Sequence, residues 1–343
     1  MQLFLKWMLD LASLKELLAH PRKIVITTHH KPDGDAMGSS LGLYNYLIQQ
    51  GHHAKVITPT DYPDFLAWLP GNENVMIYTE HTEEAAALVA DAELVFCLDF
   101  NTLSRINELG ELVRASAAYK IMIDHHLEPE DFDDYRFWSI RACATAQLVY
   151  QFIANELDNK ALVDKDVATC LYTGIMTDSA SFRLPNTTSD VHRIAADLID
   201  AGAVNWQIHE LVYSNSSESR LRFLGYCLSE KLEVLHEFNT AIITVTKQEL
   251  EKYDVVTGDT EGVVNYALSI TGIRLAAFIV ERTDKVKLSL RSRGEFPAND
   301  ICKKYFNGGG HRNAAGGTST DSLDEVIKQF KLILPEYKKL LIQ

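Results

Sequence analysis

Between residues 20 and 180, short apolar runs alternate with stretches of helical periodicity. "KIVITT" (23–28) predicts a strand, and "AMGSSLGLYNYLIQQG" (36–51) predicts a helix closed by Gly51. "AKVITP" (54–59) and the weaker "NVMIYT" (74–79) read as further strands, "EEAAALVA" as a helix and "AELVFCLDF" as a strand. "INELGELVRAS" is helical, "AYKIMIDHH" extended, and "ATAQLVYQFIANEL" (144–157) and "KDVATCLYTGIMTD" (165–178) helical again. Strands alternating with helices predict an α/β domain: a mostly parallel sheet flanked by helices on both faces.

From about residue 189 to 230 the pattern is helical, and then the texture changes. "SDVHRIAADLIDAG", "NWQIHELVY" and "SSESRLRFLGYCL" are helical, whereas "KLEVLHEFNTAIITVT" and "RLAAFIVERTDKVKLSLRS" read as antiparallel hairpins, the second turning at Thr283-Asp284. "SLDEVIKQFKLIL" predicts a closing helix. The pattern implies a first domain over 1–215, a helical linker over 216–232 and a smaller α+β domain over 233–343, which the 343-residue length accommodates. No internal repeat or low-complexity segment is visible.

Composition narrows the class. No stretch approaches the roughly 20 uninterrupted apolar residues a membrane span needs. The opening "MQLFLKWMLDLASLKELLAH", interrupted by Lys6 and Asp10, reads as an amphipathic helix rather than a signal peptide. The five cysteines are scattered without a CxxC pair, which suggests reduced thiols, no structural zinc site and a cytoplasmic setting. A net charge of −14 argues against a broad basic face for duplex nucleic acid. Residues 281–316 nevertheless carry eight Lys/Arg against four Asp/Glu, a local +4 that suits a small anionic ligand.

Three of the apolar runs end in titratable groups. After "KIVITT" comes His29-His30-Lys31-Pro32-Asp33-Gly34-Asp35, after "LVFCL" comes Asp99, and after "KIMI" comes Asp124-His125-His126. In an open parallel sheet the carboxyl ends of the strands share one edge, where ligands bind. Asp178, ending "CLYTGIMTD", can reach the same edge. Any one of these residues alone could be a helix cap or a surface loop. Together they are at least four carboxylates, which repel one another unless cations sit among them. Two divalent ions would balance four carboxylates. Oxygen and imidazole ligands without thiolate favour Mn²⁺, with Mg²⁺ as an alternative.

The segments "THHKPDGDAMGS", "CLDF", "IDHH" and "GIMTDSASFR" resemble, in order, the four metal-site motifs of the DHH phosphoesterase superfamily. "KLSLRSRGEFPANDICKKYFNGGGHRNAAGG" resembles the DHHA1 domain, and within the superfamily the chain is similar to the NrnA-like nanoRNase/pAp-phosphatase group. The resemblance implies one metal held by His29, Asp33 and Asp99, and a second held by Asp35, Asp99, His125 and Asp178. It also implies that His126 faces the scissile phosphate while Asp124 orients the neighbouring imidazole, and that a hydroxide shared by the metals attacks phosphorus. His30 receives no role, and His52-His53 reads as surface. The fourth motif departs from the pattern, with Ser179-Ala180 where relatives often carry Thr-Gly.

The glycine-rich "FNGGGHRNAAGG" (306–317) reads as a loop whose backbone can approach an anion closely. Alternation in "SLRSR" puts Ser289, Arg291 and Arg293 on one strand face. The resemblance assigns Arg291, Ser289, His311 and Gly308, Gly309 and Gly310 to gripping the nucleotide, with Arg183 as a weaker contact.

The implied activity is Mn²⁺-dependent hydrolysis of short oligoribonucleotides or 3′-phosphoadenosine 5′-phosphate. The partners are short RNA, dinucleotide or nucleoside bisphosphate rather than duplex or membrane, and a homodimer is compatible. Alternatives are a cyclic di-AMP or pApA phosphodiesterase, a RecJ-like single-strand exonuclease, an exopolyphosphatase-type enzyme, and a non-catalytic metal or nucleotide sensor.

Overall fold

The computed structural model describes residues 9–342, which divide into two compact units between Asn215 and Ser216. In the first unit, strands β1 (Lys23–Thr27), β2 (His53–Thr58), β3 (Val75–Ile77), β4 (Leu94–Leu98), β5 (Tyr119–Asp124) and β6 (Tyr135–Trp138) form one sheet in the order β3-β2-β1-β4-β5-β6. Every pairing is parallel. Its helices are α1 (Leu11–Leu18), α2 (Gly34–Gln49), α3 (Thr82–Asp91), α4 (Leu109–Ala115), α5 (Thr145–Gln151), α6 (Lys165–Asp178), α7 (Ser189–Asp200) and α8 (Asn205–Tyr213). The amphipathic helix expected over the opening residues is described only from residue 9, as α1; the rest of that reading lies outside the described residues.

Side-chain alternation along each buried strand feeds two cores. Ile24, Ile26, Phe96, Leu98, Ile121 and Ile123 pack with Met37, Leu41 and Leu171 on one face. Val25, Ile57, Val95, Cys97 and Met122 pack with Ala85, Val89, Leu109 and Val113 on the other.

Several local expectations need correction. The edge strand β6 goes unread in the sequence, being four residues long and only partly buried. "INELGELVRAS" is no single helix: a 3₁₀ turn at Leu103–Ile106 precedes α4, and Asn107 between them takes a left-handed φ of 52°. "ATAQLVYQFIANEL" starts as α5 and widens to a π-turn over Phe152–Glu156. Asp33-Gly34-Asp35 forms the cap and first residues of α2, which therefore begins two residues before the expected helix. His52 is buried, only 3% exposed, and its Nδ1 accepts the Arg22 N–H at 3.1 Å.

The second unit has α9 (Glu218–Glu230), β7 (Leu232–Leu235), β8 (Thr240–Val245), α10 (Lys247–Lys252), α11 (Val263–Leu268), β9 (Leu275–Glu281), β10 (Val286–Ser292), α12 (Ala298–Tyr305), β11 (Gly309–His311), β12 (Ala314–Ser319) and α13 (Leu323–Leu341). The stretch 216–232 contains α9, whose Phe223 and Cys227 are buried in this unit's own core. The sheet order is β11-β12-β10-β9-β8-β7, with β8 and β9 parallel and the other pairs antiparallel.

The expected glycine loop is a short hairpin, β11 and β12. Glycine hides it from periodicity because it has no side chain to alternate. Close backbone approach requires it, since a Cβ on Gly308 would lie 2.0 Å from the Gly316 carbonyl oxygen. All five cysteines are buried free thiols, and burial pushes those of Cys227 and Cys302 up to about 12. Among the described residues no helix is long and apolar enough to cross a membrane.

Candidate metal centre

From β1 the chain turns outward to β2 and β3, and from β4 it proceeds the other way to β5 and β6. The reversal therefore lies between β1 and β4, and such a switch point opens a crevice at the carboxyl ends of the strands. Thr27 pairs with Cys97 and Leu98 with Ile123, so His29 and Asp99, just past their strands, and Asp124, the last residue of β5, continue as neighbours. Asp99 is held there by its N–H donating to Ile123 O at 3.1 Å, and adopts φ 63°, which turns the chain sharply out of the sheet.

Helices bring the remaining groups. Asp33 caps α2, its Oδ1 accepting the N–H groups of Asp35 and Ala36 at 3.1 Å each. Asp35 lies in the first turn of α2, and its carboxylate accepts the Thr145 N–H at 2.6 Å and the Ala146 N–H at 2.8 Å from the start of α5. Asp178 ends α6, which crosses α2 closely. A Cβ on Gly34 would meet Thr177 Oγ1 at 2.4 Å, and one on Gly38 would meet Cys170 O at 2.6 Å. Sequence reasoning passes over the Gly34, Gly38, Gly42 stripe, although its four-residue spacing marks one helix face. It also misses Thr145, whose Oγ1–H donates to Asp99 Oδ1 at 2.9 Å; no spacing signal announces that contact.

The three histidines share one device. His29 Nδ1 lies 2.9 Å from His30 O, and His125 Nδ1 lies 3.3 Å from Ala142 O. Carbonyls only accept, so both rings carry a proton on Nδ1, and in the neutral ring Nε2 keeps a lone pair. His126 Nδ1 is 2.7 Å from Asp124 Oδ1, and its backbone N–H donates to Asp124 Oδ2 at 3.2 Å. His29 Nε2 faces Asp99 Oδ2 at 3.5 Å and Asp33 Oδ1 at 3.9 Å. His125 Nε2 faces Asp178 Oδ2 at 3.5 Å, Asp99 Oδ1 at 3.6 Å and Asp35 Oδ2 at 3.8 Å.

These separations are long for hydrogen bonds. They suit ligands of a shared cation, because two donors each about 2.1 Å from an ion stand about 3–4 Å apart. His29, Asp33 and Asp99 form one group able to hold an ion; Asp35, Asp99 and His125 form another, with Asp178 beside it.

Electrostatics point the same way. Burial, then the charges of Asp99 and Asp178, pushes Asp35 well above the usual carboxylate range. Burial would raise Asp99 too, but His29, His126 and His125 outweigh it and hold Asp99 well below that range. Burial depresses His29 and His125, yet the surrounding aspartates more than offset it and both imidazoles are raised. Without a cation the cluster holds protons to keep its charges apart; a divalent ion would relieve the same stress.

A profile of the DHH family, N-terminal domain, matches residues 23–175, and one of the DHHA1 domain matches residues 239–336. A bifunctional oligoribonuclease and PAP phosphatase, NrnA, from Thermus thermophilus is 34% identical over 302 residues, covering 86% of this chain and 83% of that protein. The chain belongs to the DHH phosphoesterase family. The crystal structure of an exopolyphosphatase-related protein from Bacteroides fragilis superimposes on this DHH protein with TM-score 0.92 at 41% identity, covering 97% of each chain. The cyclic-di-AMP phosphodiesterase GdpP of Bacillus subtilis is 28% identical over 341 residues, covering 95% of this chain and 49% of that protein. DHH phosphoesterases are metal-dependent hydrolases, in keeping with the acidic and imidazole cluster of this one.

The DHHA1 unit places its own candidates in rows. Cross-strand pairing aligns Arg291 with Ala314 and Ala314 with His311, while Ser289, Gly316 and Gly309 form the next row. Paired residues share a face. Arg291 and His311, both half-buried, therefore flank a floor of Ala314, Gly316 and Gly309 with no bulky side chain. Gly308 and Gly310 are also required for packing, because a Cβ on either would strike backbone of β12. Arg293 lies beyond the end of β10 and is exposed, off the expected stripe. Arg183 is exposed, its Nε–H donating to Ala180 O at 2.8 Å.

Proposed function

We propose that this enzyme hydrolyses short oligoribonucleotides and 3′-phosphoadenosine 5′-phosphate with two Mn²⁺ ions in the cytoplasm, Mg²⁺ being a poorer substitute. The carrying observation is the convergence of His29, Asp33, Asp35, Asp99, His125 and Asp178, with Asp99 common to both ion-holding groups. One ion is assigned to His29, Asp33 and Asp99, the other to Asp35, Asp99, His125 and Asp178. When bound, the cations supply Lewis acidity and a water acidified enough to act as a nucleophile near neutral pH.

The chain's own groups do the rest. Thr145 and the start of α5 hold Asp99 and Asp35 in place. Asp124 holds His126 through Nδ1 and so orients the ring; with the ring as imidazolium, its Nε2–H donates to a phosphoryl oxygen or passes a proton to the leaving oxygen. Arg291, Ser289, His311 and the bare glycine backbone receive the nucleotide, Arg as a bidentate phosphate partner; Arg183 contributes a weaker anion contact. The net charge of −14 supports short substrates over duplex.

A cyclic or linear dinucleotide phosphodiesterase is the second reading, supported by the GdpP relative. The oligoribonuclease relative is favoured because it matches over most of its own length. A panel of two- to five-residue RNA, pAp, cyclic di-AMP, pApA and polyphosphate in Mn²⁺ separates them. Asp99→Ala and His125→Ala abolish turnover on this reading, while His311→Ala chiefly raises KM. Wild-type rates in Asp99→Ala would remove the metal assignment.

A further inference from the structure

We propose that Trp138 is a stacking platform for a nucleobase of the substrate, so that the metal edge itself, and not only the DHHA1 unit, recognises that the ligand is a nucleotide. The inference rests on the phosphoesterase reading above and names a specificity residue for it. Trp138 closes β6 and pairs in register with Asp124, the residue that locks His126. Its indole Nε1–H donates to His126 O at 2.7 Å. His126 Nδ1 in turn lies 3.7 Å from Asp99 Oδ1, so the indole is one residue removed from the candidate metal ligands.

That hydrogen bond satisfies the ring's only polar group and fixes its orientation, while 38% of the residue remains exposed. Ile140, two residues on, is 53% exposed, and Arg141 is exposed as well. A rigid, exposed aromatic face is the surface on which proteins stack unpaired bases. A bare phosphate chain has nothing to stack. An exposed tryptophan on an edge strand could instead serve only to pack against protein, or its N–H could serve only to hold the His126 carbonyl, and the test separates these roles.

KM and kcat are measured for pApA and for the same dinucleotide with hydrogen in place of both bases, using wild type, Trp138→Leu and Trp138→Phe. Stacking predicts that Trp138→Leu raises KM for pApA on the order of tenfold and leaves KM for the abasic compound and kcat unchanged. Trp138→Phe, which keeps a ring but loses the N–H, stays close to wild type. An equal rise on both substrates in both variants overturns the platform in favour of a positioning role, and no rise in either overturns it outright.

Fluorescence gives an arm independent of turnover. The emission lost on Trp138→Phe is quenched by adenosine 5′-monophosphate and not by ribose 5-phosphate; absence of that quenching also overturns the proposal. Quenching without hydrolysis of any oligoribonucleotide would instead remove the proposed function and leave the platform standing.

Discussion

A methyl group at position 38 probes how the two helices carrying Asp35 and Asp178 are held together. A Cβ there would lie 2.6 Å from Cys170 O, 2.7 Å from Gly174 N and 2.9 Å from Gly174 Cα. All three are backbone atoms of α6, so no side-chain rotation relieves the clash. Reaching an ordinary contact of about 3.5 Å requires α2 and α6 to part by about 0.9 Å locally. Asp35 lies one turn before Gly38, and Asp178 one turn after Gly174. The separation therefore opens the side of the cluster where Asp35, His125 and Asp178 meet.

Overpacking of this kind costs about 1–3 kcal/mol, a fall in Tm of roughly 2–12 °C for a unit of this size. A displacement near 1 Å in a reacting geometry costs on the order of 100-fold in rate. Thermal unfolding and Mn²⁺-dependent turnover of pApA are the two assays for Gly38→Ala. Gly225→Ala in α9 is the control: nothing lies within 4 Å of its added Cβ, so helix propensity alone acts and stability rises by about 0.5–1 kcal/mol with turnover unchanged. Wild-type Tm and turnover in Gly38→Ala would refute the tight crossing. A lowered Tm with full turnover would show that the crossing does not set the site.

Mn²⁺ at 100 times its dissociation constant stabilises the metal-free protein by about 2.7 kcal/mol; a thermal-shift titration detects this, and Asp99→Asn loses it if Asp99 is a ligand. Although burial pushes Glu249 up, hydrogen bonds from Lys231, the Thr246 N–H and the Tyr226 hydroxyl hold it down at about 2. A depressed folded-state value stabilises above the unfolded-state value of about 4.5 and is lost as pH falls through 2. Glu249→Gln is therefore about 1–3 kcal/mol less stable at pH 7, and urea unfolding at successive pH values shows the gap closing between those limits. Ala180 adopts φ 50°, in the left-handed region that favours glycine; Ala180→Gly raises stability by about 0.5–1 kcal/mol, read as a higher Tm, and an unchanged or lower Tm would deny that the turn is strained.

Much of the site can be read along the chain because its ligands stand where apolar runs stop. His29, Asp99 and Asp124 each follow a strand whose existence the run announces, and a parallel sheet gathers such ends at one edge without further instruction. Other features leave weaker traces. β6 is short and lies at the sheet edge, so no strong alternation marks it. β11 and β12 are built largely of glycine and alanine, which carry no pattern to read. His52 sits beside an exposed His53, and only packing decides that one of the two is buried.

Sequence by itself determined most of the order of strands and helices, short or glycine-built strands excepted, and which residues could serve as ligands, because hydrophobic period and strand termination are local properties of the chain. Tertiary structure alone decided that Thr145 supports Asp99, that α6 lies close enough to α2 for Asp178 to join the cluster, and that Trp138 leans on His126. Those choices depend on contacts between segments far apart in sequence, where the space left by a missing Cβ or the direction of one N–H outweighs any local preference.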